Sequence, residues 1–205
     1  MSLFSLSDIN IDIKMQDGVA VDGVKLIEDK AYRRKIKNNS IHTAKAKALD
    51  QLCQKPKKNE QWRIVTEKQF NAYALILSVL QETDIKEMCL AIYRINQPTV
   101  ESIIEFIDAG RIKNATFVIS NFFNQTKKPE KWALALKAYA DTKNNIKHCY
   151  VHNHAKIMAL HTTNDNYYVF EGSGNMSDNA RIEQYVYDNN KELFDFHKKW
   201  MNELV

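Results

Sequence analysis

Between Ile146 and Tyr187 this chain sets four strand-type segments in quick succession, and that cluster limits its fold more than any other feature. Ile146–Val151, His154–Leu160, Tyr167–Glu171 and Glu183–Tyr187 are short runs rich in β-branched and aromatic residues, divided by turn-forming stretches. Upstream the pattern differs, because strands there alternate with helices. Trp62–Val65 reads as a strand, and Thr66 as the cap of a helix reaching Leu80, with Phe70, Tyr73, Ala74, Leu77 and Leu80 at helical spacing. A strand near Met88–Ile95, a helix from Pro98 to Ala109, a strand at Ala115–Ser120 and a helix from Pro129 to about Ala140 follow. Lys191–Leu204 closes the chain as a helix with Leu193, Phe194, His197, Trp200 and Met201 on one stripe. Alternation followed by clustered strands predicts an α/β fold, a mixed β-sheet flanked by helices.

The first 60 residues read as a separate, basic appendage, and residues 61–205 as the main domain. Ile9, Ile11, Ile13 and Met15 alternate before Asp17-Gly18, and Val19 and Val21 continue to Asp22-Gly23, a pattern for a small hairpin. Glu28 to Asn38 and Ser40 to Gln54 read as two basic helical pieces, with Ser40 as an N-cap. Lys55-Pro56-Lys57-Lys58-Asn59 makes a linker. Residues 25–68 hold thirteen Lys or Arg against five Asp or Glu, a local charge of +8 in a chain of net +4. Such a segment suits a polyanion, although a solvated helix face has the same composition.

Several classes of protein are disfavoured. Met1-Ser-Leu-Phe-Ser-Leu-Ser-Asp8 lacks the basic start and apolar run of a signal peptide. The apolar window Ala72 to Leu80 is far short of the ~20 residues that cross a bilayer. Cys53, Cys89 and Cys149 are scattered and form no CxxC, which predicts a reduced, cytoplasmic protein.

Chemistry concentrates in Val151-His-Asn-His-Ala-Lys156 and, further on, Gly172-Ser-Gly-Asn175. Strand alternation would put His154 and Lys156 on one face. An imidazole can attack phosphorus or move a proton near neutral pH, and a neighbouring ammonium can hold the oxygens that gain charge. Ser173 and Asn175 add neutral donors, while Gly172 and Gly174 let backbone approach a phosphate closely. Glu183 falls on a strand and could hydrogen-bond the imidazole to set its tautomer. The crowding of His148, His152, His154 and His161 also invites a metal reading, but the paired spacing of a zinc site is missing. Phe117, Phe122, Phe123, Tyr167, Tyr168 and Phe170 are assigned mostly to packing.

Taken together, His154-Ala-Lys156, Gly172-Ser173-Gly174-Asn175 and Glu183 resemble the HKD motif of the phospholipase D superfamily, in its single-motif nuclease branch. The resemblance implies an αβα sandwich and a homodimer that brings two motifs together. It implies His154 as the nucleophile, with the partner's copy as the acid; Lys156 and Asn175 as phosphate holders; Ser173 in support; and Glu183 as the group orienting His154. No cofactor and no metal is required by that scheme. The family's aspartate, five residues after the lysine, is His161 here. The expectation is a metal-independent phosphodiesterase, a DNA or RNA nuclease without a membrane partner. The rival expectations are a non-catalytic nucleic-acid-binding dimer, which His161 favours, and a phospholipid hydrolase or transferase, for which no amphipathic membrane-seeking helix is evident.

Overall fold

The computed structural model describes residues 41–46, 55–67, 71–124, 129–177 and 182–205. Eight strands form one sheet: β1 (Ile41–Ala46), β2 (Gln61–Glu67), β3 (Ile85–Ile92), β4 (Ala115–Ser120), β5 (Ile146–Val151), β6 (Lys156–Thr162), β7 (Tyr167–Gly172) and β8 (Ile182–Asn189). Among the described residues four α-helices accompany them: α1 (Tyr73–Leu80), α2 (Gln97–Asp108), α3 (Lys131–Ala140) and α4 (Lys191–Asn202). The sheet order is β1-β2-β8-β7-β6-β3-β4-β5. The β1–β2, β3–β4 and β4–β5 pairs are parallel and the other four antiparallel, so the sheet is mixed as expected.

Alternation along each central strand sorts side chains between two layers. Met88, Leu90, Met158, Leu160, Tyr168 and Phe170 pack with α1, α2 and α3 on one face. Their neighbours Cys89, Ala91, Ala159 and Val169 meet Leu193, Phe194 and Met201 of α4 on the other. Small residues under α4 let a single helix cover that face closely. Strand β4 is buried at every position, as a central parallel strand must be. Helices α2 and α4 start where asparagine caps them: Asn96 accepts from Thr99 N at 3.0 Å and Asn190 from Leu193 N at 2.9 Å.

Three local expectations are corrected. Residues 41–46, read as part of a helix over Ser40–Gln54, form β1 in parallel register with β2. Ala44 and Ala46 favour a helix in isolation, but the open edge of β2 offers hydrogen bonds that a local pattern does not reveal. Thr66 caps no helix; it lies in β2, paired with Glu183, and α1 starts at Tyr73. Strand β6 starts at Lys156 rather than His154, for a reason found in the site itself. The division at residue 60 falls between two hydrogen-bonded neighbours, β1 and β2. The hairpin over residues 9–23 and the helix over 28–38 lie outside the described residues, as does much of the basic 25–68 segment. Among the described residues no helix is long and apolar enough to cross a membrane.

Candidate active site

The topology brings one end of many strands together. Parallel β3, β4 and β5 finish at Ile92, Ser120 and Val151, while antiparallel β6 begins at Lys156 opposite Ile92. Strand β7 ends at Gly172 beside Tyr185 of β8, and Glu183 at the start of β8 faces Thr66. In open α/β sheets this carboxyl end of the strands is where ligands bind. Residues scattered from Tyr93 to Glu183 in sequence meet there.

Asn153 builds the turn that presents both neighbouring histidines. Its Oδ1 accepts from Ala155 N at 2.8 Å, an Asx-type turn that delays β6 until Lys156. Its Nδ2 donates to Val118 O at 2.9 Å and to Ile92 O at 3.4 Å, tying the turn to β4 and β3. His152 and His154 are left exposed on either side.

His154 and Lys156 do meet, through this turn rather than through strand parity. Lys156 Nζ donates to His154 O at 3.1 Å and stands 3.4 Å from His154 Nδ1. An ammonium only donates, so Nδ1 is the acceptor and the neutral ring carries its proton on Nε2. The imidazole also lies against Tyr93, with ring centroids 4.6 Å apart, and Lys156 Nζ sits 5.5 Å from the Tyr93 centroid.

Partial burial pushes the Lys156 ammonium below the ordinary lysine pKa, and the Glu183 carboxylate pushes it back up. If the charged form holds the substrate, activity is lost at a lower pH than an exposed lysine would allow. The alkaline limb of kcat/KM is therefore expected below the ordinary lysine range. Lys156→Arg should move it up, because guanidinium stays charged, and Glu183→Gln should move it down. A limb unmoved by either substitution would belong to another group.

Glu183 is placed differently from expectation. Ser173 Oγ donates to Glu183 Oε2, and Ser173 Oγ accepts from Gln184 N at 3.1 Å. Among the described contacts the carboxylate therefore engages Ser173 and the charge of Lys156, not the His154 ring. Asn175 Oδ1 accepts from Arg94 N at 3.3 Å, and Asn175 O accepts from Ala72 N at 3.3 Å. The bridge between Ile95 and Met176 holds this segment against the chain leaving β3. Gly172 is needed for packing: a Cβ there would lie 2.4 Å from both Gln184 O and Tyr185 Cδ1. Gly174 is buried. Glu171 points to the opposite face, 2.9 Å from the buried His197 Nε2 on α4.

His148 and His161 lie in other pairs. His148 meets Asp141 at 2.7 Å. His161 sits five residues along β6 from Lys156, roughly 17 Å away at the ~3.4 Å rise of a strand. It stacks on Tyr167 at 4.3 Å and pairs with Asp165 at 3.1 Å. Of the aromatics assigned to packing, Phe117, Phe123, Tyr168 and Phe170 are buried, but Phe122 is 60% exposed.

A cavity of about 510 Å³ opens beside His154, with Tyr93, Phe122 and His152 on its walls. Tyr93, Asn153 and Phe122 were missed as site residues. Only Asn153 carried a signal, the turn propensity of asparagine within His152-Asn153-His154.

No family model and no curated protein matches this sequence. Among solved structures the chain is similar to Nuc from Salmonella typhimurium, a phospholipase D family member, at 20% identity over 64% of this chain and 85% of that one, with a TM-score of 0.46. It is similar to polyphosphate kinase from Porphyromonas gingivalis at 13% identity over 68% of this chain, with a TM-score of 0.49. Yeast tyrosyl-DNA phosphodiesterase 1, in a mutant form, matches at 15% identity over 51% of this chain, with a TM-score of 0.31. This chain spans 25% of each of the last two proteins. The fold itself is a mixed sheet between helices, and the functional reading rests on the site.

Proposed function

We propose that this protein is a metal-independent phosphodiesterase, a DNA or RNA nuclease that acts as a homodimer through a phosphohistidine. The observation that carries the reading is the contact of His154 with Lys156 at the carboxyl end of the strands, with Ser173, Asn175 and Glu183 on the adjoining segments. One imidazole attacks phosphorus, the bond to the leaving oxygen breaks, and the partner subunit's His154 donates a proton to that oxygen. The acid is the partner's imidazolium, which keeps one ring proton after donating the other, and the attacker is the neutral ring. Water then gives a proton to the second ring and attacks phosphorus, and the phosphorus–nitrogen bond breaks. Lys156 from each subunit and the Asn175 amide hold the non-bridging oxygens, supplying charge where it develops. Glu183 acts on Lys156 and Ser173 by this reading.

The location of His161, at the far end of β6 from Lys156 and paired with Asp165, supports the catalytic reading over a non-catalytic binder. A cytoplasmic setting fits the free, buried thiol of Cys89.

One histidine motif per chain cannot supply both attacker and acid, so two chains must meet. Light scattering is expected to return about twice the 23.8 kDa chain mass. A monomer at the concentration of the activity assay would contradict the two-histidine cycle.

A further inference from the structure

The cavity beside His154 has walls that phosphodiester chemistry does not use. Phe122 is 60% exposed, a large apolar ring held in water at the mouth of a site. It is not loosely held. Residues Asn121–Phe123 form a single 3₁₀ turn, and Ser120 Oγ accepts from Phe122 N at 3.4 Å. Phe123, 6% exposed, anchors the turn against Trp132 with ring centroids 5.4 Å apart, and packs edge-on against Phe122 at 5.1 Å. Tyr93 lies close to parallel with Phe122, at 30° and 6.4 Å, and itself touches the His154 ring. An aromatic surface therefore runs from the nucleophile out to solvent.

The polar groups of this cavity are as suggestive as its rings. Ser120, Asn121 and His152 line it together with Tyr93, Phe122 and His154. Asn121 is 7% exposed, and an amide offers both a donor and an acceptor to a ligand edge. A flat π-face, an amide on the wall and the proposed phosphate-binding pair next door fit the parts of one nucleotide. The volume of 510 Å³ lies within the ~300–1,000 Å³ usual for small-ligand sites.

We propose that this cavity is a nucleobase subsite, in which the base next to the scissile phosphate stacks on Phe122 and Tyr93, making the substrate single-stranded DNA or RNA. This inference rests on the nuclease reading for the identity of the neighbouring phosphate. A paired base cannot reach the aromatic face without leaving its stack, at a cost of a few kcal/mol, whereas a single strand offers its bases freely. Stacking on an aromatic face is tolerant of sequence, so strandedness, not sequence, is what the subsite reads.

Equilibrium binding tests it with the full-length protein and an oligonucleotide of about ten residues carrying 2-aminopurine, single-stranded or in duplex. Wild type is expected to prefer the single strand and to quench the probe. Phe122→Ala is expected to weaken single-strand binding about 5- to 150-fold, the range that base–aromatic stacking spans, and Phe122→Trp to retain it. The exposure of Phe122 makes its truncation mild for folding. Equal affinities of wild type and Phe122→Ala, or a preference for duplex without quenching, would overturn the proposal. So would Phe122-dependent binding of phospholipid vesicles with no oligonucleotide binding. Hydrolysis of an unlabelled single strand by wild type separates the two readings. Phe122-dependent binding without hydrolysis upholds the subsite and sinks the nuclease, and hydrolysis without Phe122 dependence does the reverse.

Discussion

The His154→Ala substitution is expected to lower phosphodiester hydrolysis by at least about 10⁴-fold, the largest effect of any single change in this chain. Two roles are lost at once, because in the proposed homodimer the same residue is attacker in one subunit and acid in the other. General acid–base catalysis alone contributes about 10²–10⁴-fold, and removing a nucleophile forfeits the covalent route as well. Binding should survive, since Lys156 and Asn175 remain to hold the phosphate. His154 is exposed, and its truncation leaves the core untouched. Single-turnover rates on an aryl phosphodiester, with mass spectrometry of the quenched protein, measure both losses. A variant that retains more than a tenth of the wild-type rate would place the nucleophile elsewhere.

Asn153→Ala is expected to give the second-largest effect, because Asn153 fixes the turn that carries His154. It makes one bond that closes the turn and two that fasten it to the ends of β3 and β4. Truncation leaves the Val118 and Ile92 carbonyls and the Ala155 N–H without that partner. At ~1 kcal/mol for each ordinary bond, and more where a group stays dry, the loss is about 2–4 kcal/mol. The turn also sets where the imidazole stands, and misplacement by ~1 Å can cost about 10²-fold in kcat. Urea unfolding gives the first quantity, and kcat at a temperature well below the unfolding transition gives the second. A fall in stability with kcat unchanged would show that the turn supports the fold without positioning His154.

Much of the architecture was legible because local pattern and tertiary demand agree. Ala115–Ser120 is strand in sequence and in structure, since a strand buried on both faces reads as a short, mostly apolar and β-branched run. The stripe of Leu193, Phe194, His197, Trp200 and Met201 on α4 was legible, and all but the partly exposed Trp200 are buried. Agreement failed where long-range pairing overrides propensity, as in β1 and at Thr66. The candidate site was legible to the extent that its chemistry lies in short motifs, so His154 and Lys156, which contact each other, were read as a pair. Tyr93 was not, because a tyrosine after a buried strand resembles any other core aromatic until topology sets it beside His154. Glu183 illustrates a finer limit. Its place on the edge of the site was readable, but its partner depends on the register of β8 against β7, which brings Ser173 to the carboxylate.

Hydrolysis of DNA and RNA by the purified wild-type protein in excess EDTA tests the central claim most directly. The account predicts that cleavage of a single-stranded substrate continues at the same rate when divalent ions are chelated, because Lys156 and the two imidazoles provide the charge and the proton transfers. Cleavage that stops in EDTA and returns on adding a divalent ion would contradict it, as would binding of both nucleic acids with no cleavage of either.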